Sequence, residues 1–187
     1  MDYLNGKIWD EITREERFFC AELFYELKNN IKPFLDKVKL NQEYEVGFEV
    51  CFYRDILKEY EIKNNGCFSQ KRTFDLVLFS NEKIIIFEMK SHQKFRTKQL
   101  NDIKDDPCKI KCLFERINEE KKLKLDIPKV ELWAIISSKY APCLEEETKK
   151  IFKDNIIYWE ELYTLYGNKS FKRANAIYQD RNKSNCK

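Results

Sequence analysis

Asp75, Glu88 and Lys90 are the residues whose types and spacing best suit chemistry. They lie in the stretch from Arg72 to Lys90, where two apolar runs rich in β-branched and aromatic residues flank Ser80-Asn81-Glu82. That pattern predicts a β-hairpin. Side chains alternate between the faces of a strand, so Glu88 and Lys90 share one face. A turn centred on Asn81-Glu82 pairs Ser80 with Lys83 and, stepping outward, Asp75 with Glu88. Directly opposed residues have Cβ atoms about 4.5–5.5 Å apart. Two carboxylates that close repel each other unless one keeps its proton or a cation sits between them. Mg²⁺, or Mn²⁺ in its stead, is the economical cation, because it takes hard oxygen ligands and keeps several waters. Lys90, one step along the same face, could then meet a water or a phosphate oxygen. The competing reading is a structural ion pair in which Lys90 neutralises Glu88 and Asp75. That reading leaves one negative charge over, which is costly if the group is buried.

The neighbouring segments read as elements able to hold this hairpin. Thr13 to Asn29 is expected as a helix with an apolar stripe of Phe19, Cys20, Leu23, Phe24 and Leu27. Glu16 extends the stripe. It can either face the sheet or close a capping box with Thr13. Glu15 lies at the stripe's margin. Ile31–Val38 is expected as a short helix and Tyr44–Tyr53 as a strand, with Arg54–Asn65 as a polar connection containing a helical turn at most. Both hairpin strands are apolar on both faces for most of their length, as in a sheet covered by helices on each side. Thr97 is expected to start one helix, and Asp106-Pro107 to open another as N-cap and first residue. Val130–Ser138 and Ile156–Trp159 are expected as strands, and helices are expected over Glu145–Lys150, Glu160–Tyr166 and Phe171–Tyr178. The sum is an α/β fold with a central mixed β-sheet flanked by helices.

Composition narrows the classes. The 187 residues suit a single domain, expected over residues 1–180 and followed by a basic C-terminal tail at 181–187. Apolar residues at 43% allow a core, and charged residues at 36% imply a densely ionic surface. No apolar run approaches a membrane span and no signal peptide is visible, so a soluble cytoplasmic protein is the default. Seven cysteines without a Cys-x-x-Cys pair, and a single His92, supply zinc or an iron–sulfur cluster poorly; they are expected as reduced, packed thiols. His92, just beyond the Glu-x-Lys strand, is a candidate general base or, more commonly for a lone histidine, a surface group. The net charge of +3 is mild, although Lys169, Lys172, Arg173, Arg181, Lys183 and Lys187 face only Asp180 near the end. Such a terminus suits phosphate contact or plain solvation. Tyr158, Trp159, Tyr163 and Tyr166 are spaced for core packing more than for a partner surface.

Asp75 in Thr-Phe-Asp-Leu-Val and Glu88 with Lys90 in Ile-Phe-Glu-Met-Lys resemble the motif of the PD-(D/E)xK nuclease superfamily, whose fold is restriction-endonuclease-like. Phe74 stands where the motif usually has Pro. Glu16, with Glu15 as runner-up, matches the acid that some branches carry on the first helix. Gln99-Leu100-Asn101-Asp102-Ile103 keeps the Gln of a further signature but has Ile103 in place of its Tyr. The resemblance implies metal-dependent hydrolysis of phosphodiester bonds in nucleic acid, with DNA the expected substrate. Asp75, Glu88 and the Met89 backbone carbonyl would ligate Mg²⁺, and Lys90 would orient or deprotonate the attacking water. Glu16 would anchor a metal-bound water or a second ion, and Gln99 would position Lys90 or touch a phosphate. The alternative is a non-catalytic nucleic-acid-binding or scaffold protein on the same fold. Action alone, as a homodimer or beside a larger partner is open at this point.

Overall fold

The computed structural model describes residues 5–178, so the tail expected at 181–187 lies outside the described residues. The helices are α1 (Glu16–Asn29), α2 (Lys32–Val38), α3 (Phe52–Glu59), α4 (Thr97–Lys121), α5 (Glu146–Phe152), α6 (Trp159–Tyr166) and α7 (Lys169–Ile177). The strands are β1 (Glu45–Val50), β2 (Phe74–Phe79), β3 (Lys83–Lys90), β4 (Lys129–Ile136) and β5 (Ile156–Tyr158). These strands form one sheet in the order β1-β2-β3-β4-β5. Pairing is antiparallel for β1 with β2 and for β2 with β3, and parallel for β4 with β5. The architecture is thus α/β, a mixed sheet flanked by helices. No helix among the described residues is long and apolar enough to cross a membrane.

The chain divides into two compact units. One holds residues 42–88 and 96–132. Its core is built where the β2–β3 hairpin meets α3 and α4: Phe52, Tyr53, Leu57, Phe74, Val77, Ile84, Ile86, Ile110, Leu113 and Ile117 form one buried cluster. The alternation of the strands places Val77, Ile84 and Ile86 on a common face toward the α4 stripe. The hairpin closes at Asn81-Glu82, with the Ser80 amide donating to the Lys83 carbonyl at 2.9 Å and the Lys83 amide donating to Ser80 Oγ at 3.1 Å.

The second unit comprises the described residues of 5–41, 89–95 and 133–178. Phe19, Trp159 and Phe171 pack ring against ring at its centre, with centroids 6.2 and 5.8 Å apart in turn. Asn168 caps α7 by accepting from the Ser170 amide at 2.9 Å, and its own amide donates to Glu22 and Glu26 of α1. Arg173 reaches from α7 to the Thr13 carbonyl, donating from Nε at 3.0 Å and Nη2 at 2.8 Å.

Three expectations are corrected. First, α4 is one 25-residue helix through Pro107, so Asp106 is not an N-cap. Leu100, Ile103, Asp106, Ile110, Leu113 and Ile117 form a continuous buried stripe across the proline. Burial of that stripe outweighs the roughly 3 kcal/mol by which proline disfavours a helix interior. Second, the first strand stops at Val50, and Phe52, Tyr53 and Leu57 make α3 amphipathic where a mostly irregular connection was expected. Third, α1 begins at Glu16 with Glu15 at its N-cap, and the Thr13–Glu16 capping box does not form. Thr13 Oγ1 instead accepts from the Glu15 amide at 3.3 Å, which leaves the Glu16 carboxylate for tertiary contacts. Cys20, Cys51, Cys67, Cys108 and Cys112 are free thiols, but only Cys20 of these is buried; Cys51 is half-buried and Cys67, Cys108 and Cys112 are exposed where packed thiols were expected, and Cys143 is disulfide-bonded.

Candidate active site

The hairpin register carries the geometry. Leu76 pairs with Phe87, Val77 with Ile86, Leu78 with Ile85 and Phe79 with Ile84. This pairing matches the turn at Asn81-Glu82, and one further step of the same ladder would set Asp75 against Glu88. Both residues belong to the face that carries Val77 and Ile86, the α4 face of their unit. Glu88 is 1% exposed, and Asp75 is half-buried.

A buried carboxylate needs a counter-charge. For Glu88 it is Arg72, two residues before β2, whose Nη2 donates to Oε1 at 2.5 Å. The same nitrogen donates to Asp106 Oδ2 at 2.8 Å, and Arg72 Nε donates to that oxygen at 3.1 Å. Arg72 Nη1 donates to the Thr73 carbonyl at 3.3 Å, and the guanidinium lies 5.0 Å from the Phe74 ring centroid. Asp106 is 1% exposed and accepts the Tyr53 hydroxyl at Oδ1, 2.7 Å away. Gln99 Nε2 donates to Glu88 Oε2 at 3.3 Å. Gln99 and Asp106 are seven residues apart, two turns of α4, so one helix face supplies a donor to Glu88 and an acceptor to Arg72.

The electrostatics follow from this packing. Burial pulls the Arg72 guanidinium down, but the charges and hydrogen bonds of Glu88 and Asp106 outweigh it and hold its pKa above the ordinary value. Burial pushes the Asp106 carboxyl up, against the pull of Arg72 and Tyr53. Burial and then the charge of Asp106 raise the Tyr53 hydroxyl, which stays a donor at neutral pH.

Lys90 belongs to the second unit, two residues on along β3. Its Nζ donates to Glu16 Oε2 at 2.8 Å, and the Ser91 amide donates to Glu16 Oε1 at 3.4 Å. His92 Nδ1 stands 3.8 Å from Glu16 Oε1. Trp159 Nε1 donates to the Lys90 carbonyl at 3.0 Å, and Phe95 lies beneath the ammonium at 5.7 Å from its centroid. Glu16 therefore meets Lys90, while Glu15 is exposed. Within its own unit Lys90 pairs with Glu16, and within the hairpin unit Glu88 pairs with Arg72, a partner the sequence reading did not include.

The residues read from the sequence fall into two sets. Asp75, Glu88 and Gln99 belong to the hairpin unit, where Gln99 bonds Glu88. Glu16 and Lys90 are bonded to each other in the second unit. Arg72, Asp106 and Tyr53 escaped sequence reasoning. The available signal was periodicity: Asp106 falls three after Ile103 and four before Ile110, a core position where an acid demands a basic partner.

By donor type, opposed carboxylates and strand carbonyls suit a hard divalent cation. As the side chains stand, Glu88 Oε1 holds a guanidinium and Oε2 an amide. Among the described residues, no group of three or more His, Cys, Asp and Glu side chains is gathered to hold a metal. No family model matches the chain, and no curated protein or solved structure matches it.

Proposed function

We propose that the chain is a metal-dependent nuclease of the PD-(D/E)xK kind, hydrolysing phosphodiester bonds in nucleic acid, DNA first. The observation that supports this reading is the hairpin register, paired from Phe79–Ile84 out to Leu76–Phe87, whose continuation by one step would oppose Asp75 to Glu88, with Lys90 two residues further along β3. Asp75, Glu88 and the Met89 carbonyl are the ligands in this reading. A bound Mg²⁺ or Mn²⁺ supplies Lewis acidity toward the phosphate and a water of lowered pKa. Gln99 orients the Glu88 carboxylate through its 3.3 Å bond. Lys90 orients the attacking water or stabilises negative charge developing on the phosphate. Glu16 holds the Lys90 ammonium at 2.8 Å and limits its rotamers, which pre-positions it.

The second reading, a nucleic-acid-binding or scaffold protein without catalysis, is favoured by one observation: Glu88 already has a guanidinium counter-ion. Purified protein incubated with single- and double-stranded DNA and RNA, in Mg²⁺, Mn²⁺ or EDTA, separates the two. Metal-dependent cleavage that disappears in Lys90→Ala and in Asp75→Ala is expected. Cleavage that persists in either variant refutes the mechanism, and binding without cleavage in any metal gives the second reading.

A further inference from the structure

We infer that Arg72 is a built-in counter-ion that holds Glu88 in place of a divalent cation and must release it for that cation to bind. The inference rests on the reading of Asp75 and Glu88 as metal ligands. Arg72 and a cation would compete for the same carboxylate, that of Glu88, whose Oε1 the guanidinium occupies at 2.5 Å. The guanidinium is only 13% exposed, so a hydrogen-bonded carboxylate is its means of staying charged out of water.

Release of Glu88 does not strand Arg72. Nε and Nη2 keep their bonds to Asp106 Oδ2, Nη1 keeps the Thr73 carbonyl, and the Phe74 face remains beneath. Asp106 is in turn fixed by Tyr53 and by its place on α4. Arg72 is thus anchored through Asp106 and shares a single nitrogen with Glu88. Such a fork can let go of one acceptor while keeping the other.

The test is Mn²⁺ binding to the full chain, read from the electron paramagnetic resonance signal of free Mn²⁺, for wild type, Arg72→Lys and Arg72→Gln. Removing a charge-assisted competitor is expected to tighten Mn²⁺ binding about tenfold in Arg72→Gln. Arg72→Lys should fall between, because a compact ammonium cannot bridge two carboxylates as a planar fork does. A measurement on wild type covers the case in which the variants fail to fold: Mg²⁺ titration should shift the Arg72 side-chain N–H resonances while the protein stays folded. If Mn²⁺ binds wild type and depends on Asp75, yet is no tighter in folded Arg72→Gln, the counter-ion role is refuted and the nuclease reading stands. The counter-ion role is likewise refuted, and the nuclease reading kept, if Mg²⁺ binds without moving the Arg72 resonances. If none of the three proteins binds Mn²⁺, both fall.

Discussion

Replacing Asp106 with alanine probes the buried cluster of Arg72, Asp106, Glu88 and Tyr53. Asp106 is 1% exposed and accepts three donors: Tyr53 at 2.7 Å, and Arg72 Nη2 and Nε at 2.8 and 3.1 Å. Asp106→Ala leaves Arg72 paired with Glu88 alone and the Tyr53 hydroxyl without this acceptor. Breaking a buried ion pair by removing one partner costs about 3–5 kcal/mol. The Tyr53 hydroxyl keeps only its long bond to the Asp106 backbone carbonyl at 3.5 Å, which adds a loss of up to about 1–3 kcal/mol, but the two losses share one carboxylate and do not add in full. The expected loss is therefore about 3–5 kcal/mol, a large part of the roughly 5–15 kcal/mol that holds a domain folded. Urea unfolding followed by tryptophan fluorescence measures it as a lowered midpoint at unchanged slope. Tyr53→Phe, which removes one hydrogen bond and keeps the ring, should cost only about 1 kcal/mol. Arg72→Ala combined with Asp106→Ala should lose less than the sum of the single changes, with a coupling of about 0.5–3 kcal/mol. An Asp106→Ala loss below about 1 kcal/mol, or strict additivity with Arg72→Ala, would show that the buried ion pair does not hold this unit together.

Two further outcomes follow from single positions. Pro107 interrupts the hydrogen-bond ladder of α4, so Pro107→Ala should raise stability by about 1 kcal/mol or more; an unchanged or lower midpoint in thermal unfolding would mean that the helix is already relaxed around the ring. Burial pushes the Glu131 carboxyl up, but Lys129 at 2.8 Å and Lys83 at 3.1 Å outweigh it and hold its pKa below the ordinary 4.5. A depressed carboxylate stabilises the fold above the unfolded-state pKa and loses that contribution as pH falls through the folded-state value. The deficit of Glu131→Gln should thus be present at neutral pH and fade in acid, which melting curves from about pH 7 to about pH 3 will show; parallel curves over that range would contradict the assignment.

Much of the fold was legible because local chemistry and tertiary context agree. The β2–β3 hairpin, its turn and its register follow from two apolar runs around Ser80-Asn81-Glu82, and a one-residue slip would have turned Asp75 to the other face. The stripe of α1 was equally plain, whereas the alternation expected over 44–53 is broken in β1 by Glu49, which has φ 51°. The site was legible only in part. Charge partners are chosen by proximity in space, and nothing along the chain ties Arg72 to Asp106, 34 residues away, or Lys90 to Glu16, 74 residues back. Asp106-Pro107 has the composition of a helix start, and only the packing of Ile103 and Ile110 on either side shows that the helix runs through it.

By itself, then, the sequence determined which strands carry the acids and the register of the hairpin from Leu76–Phe87 to Phe79–Ile84, because alternation and turn length are local rules. Tertiary structure alone decided how those charges are balanced. It gave Glu88 the Arg72 guanidinium, gave Lys90 the Glu16 carboxylate, and made Asp106 the anchor of a buried cluster. The physical reason is that a charge taken out of water must find its partner among whatever groups folding brings within a few ångströms.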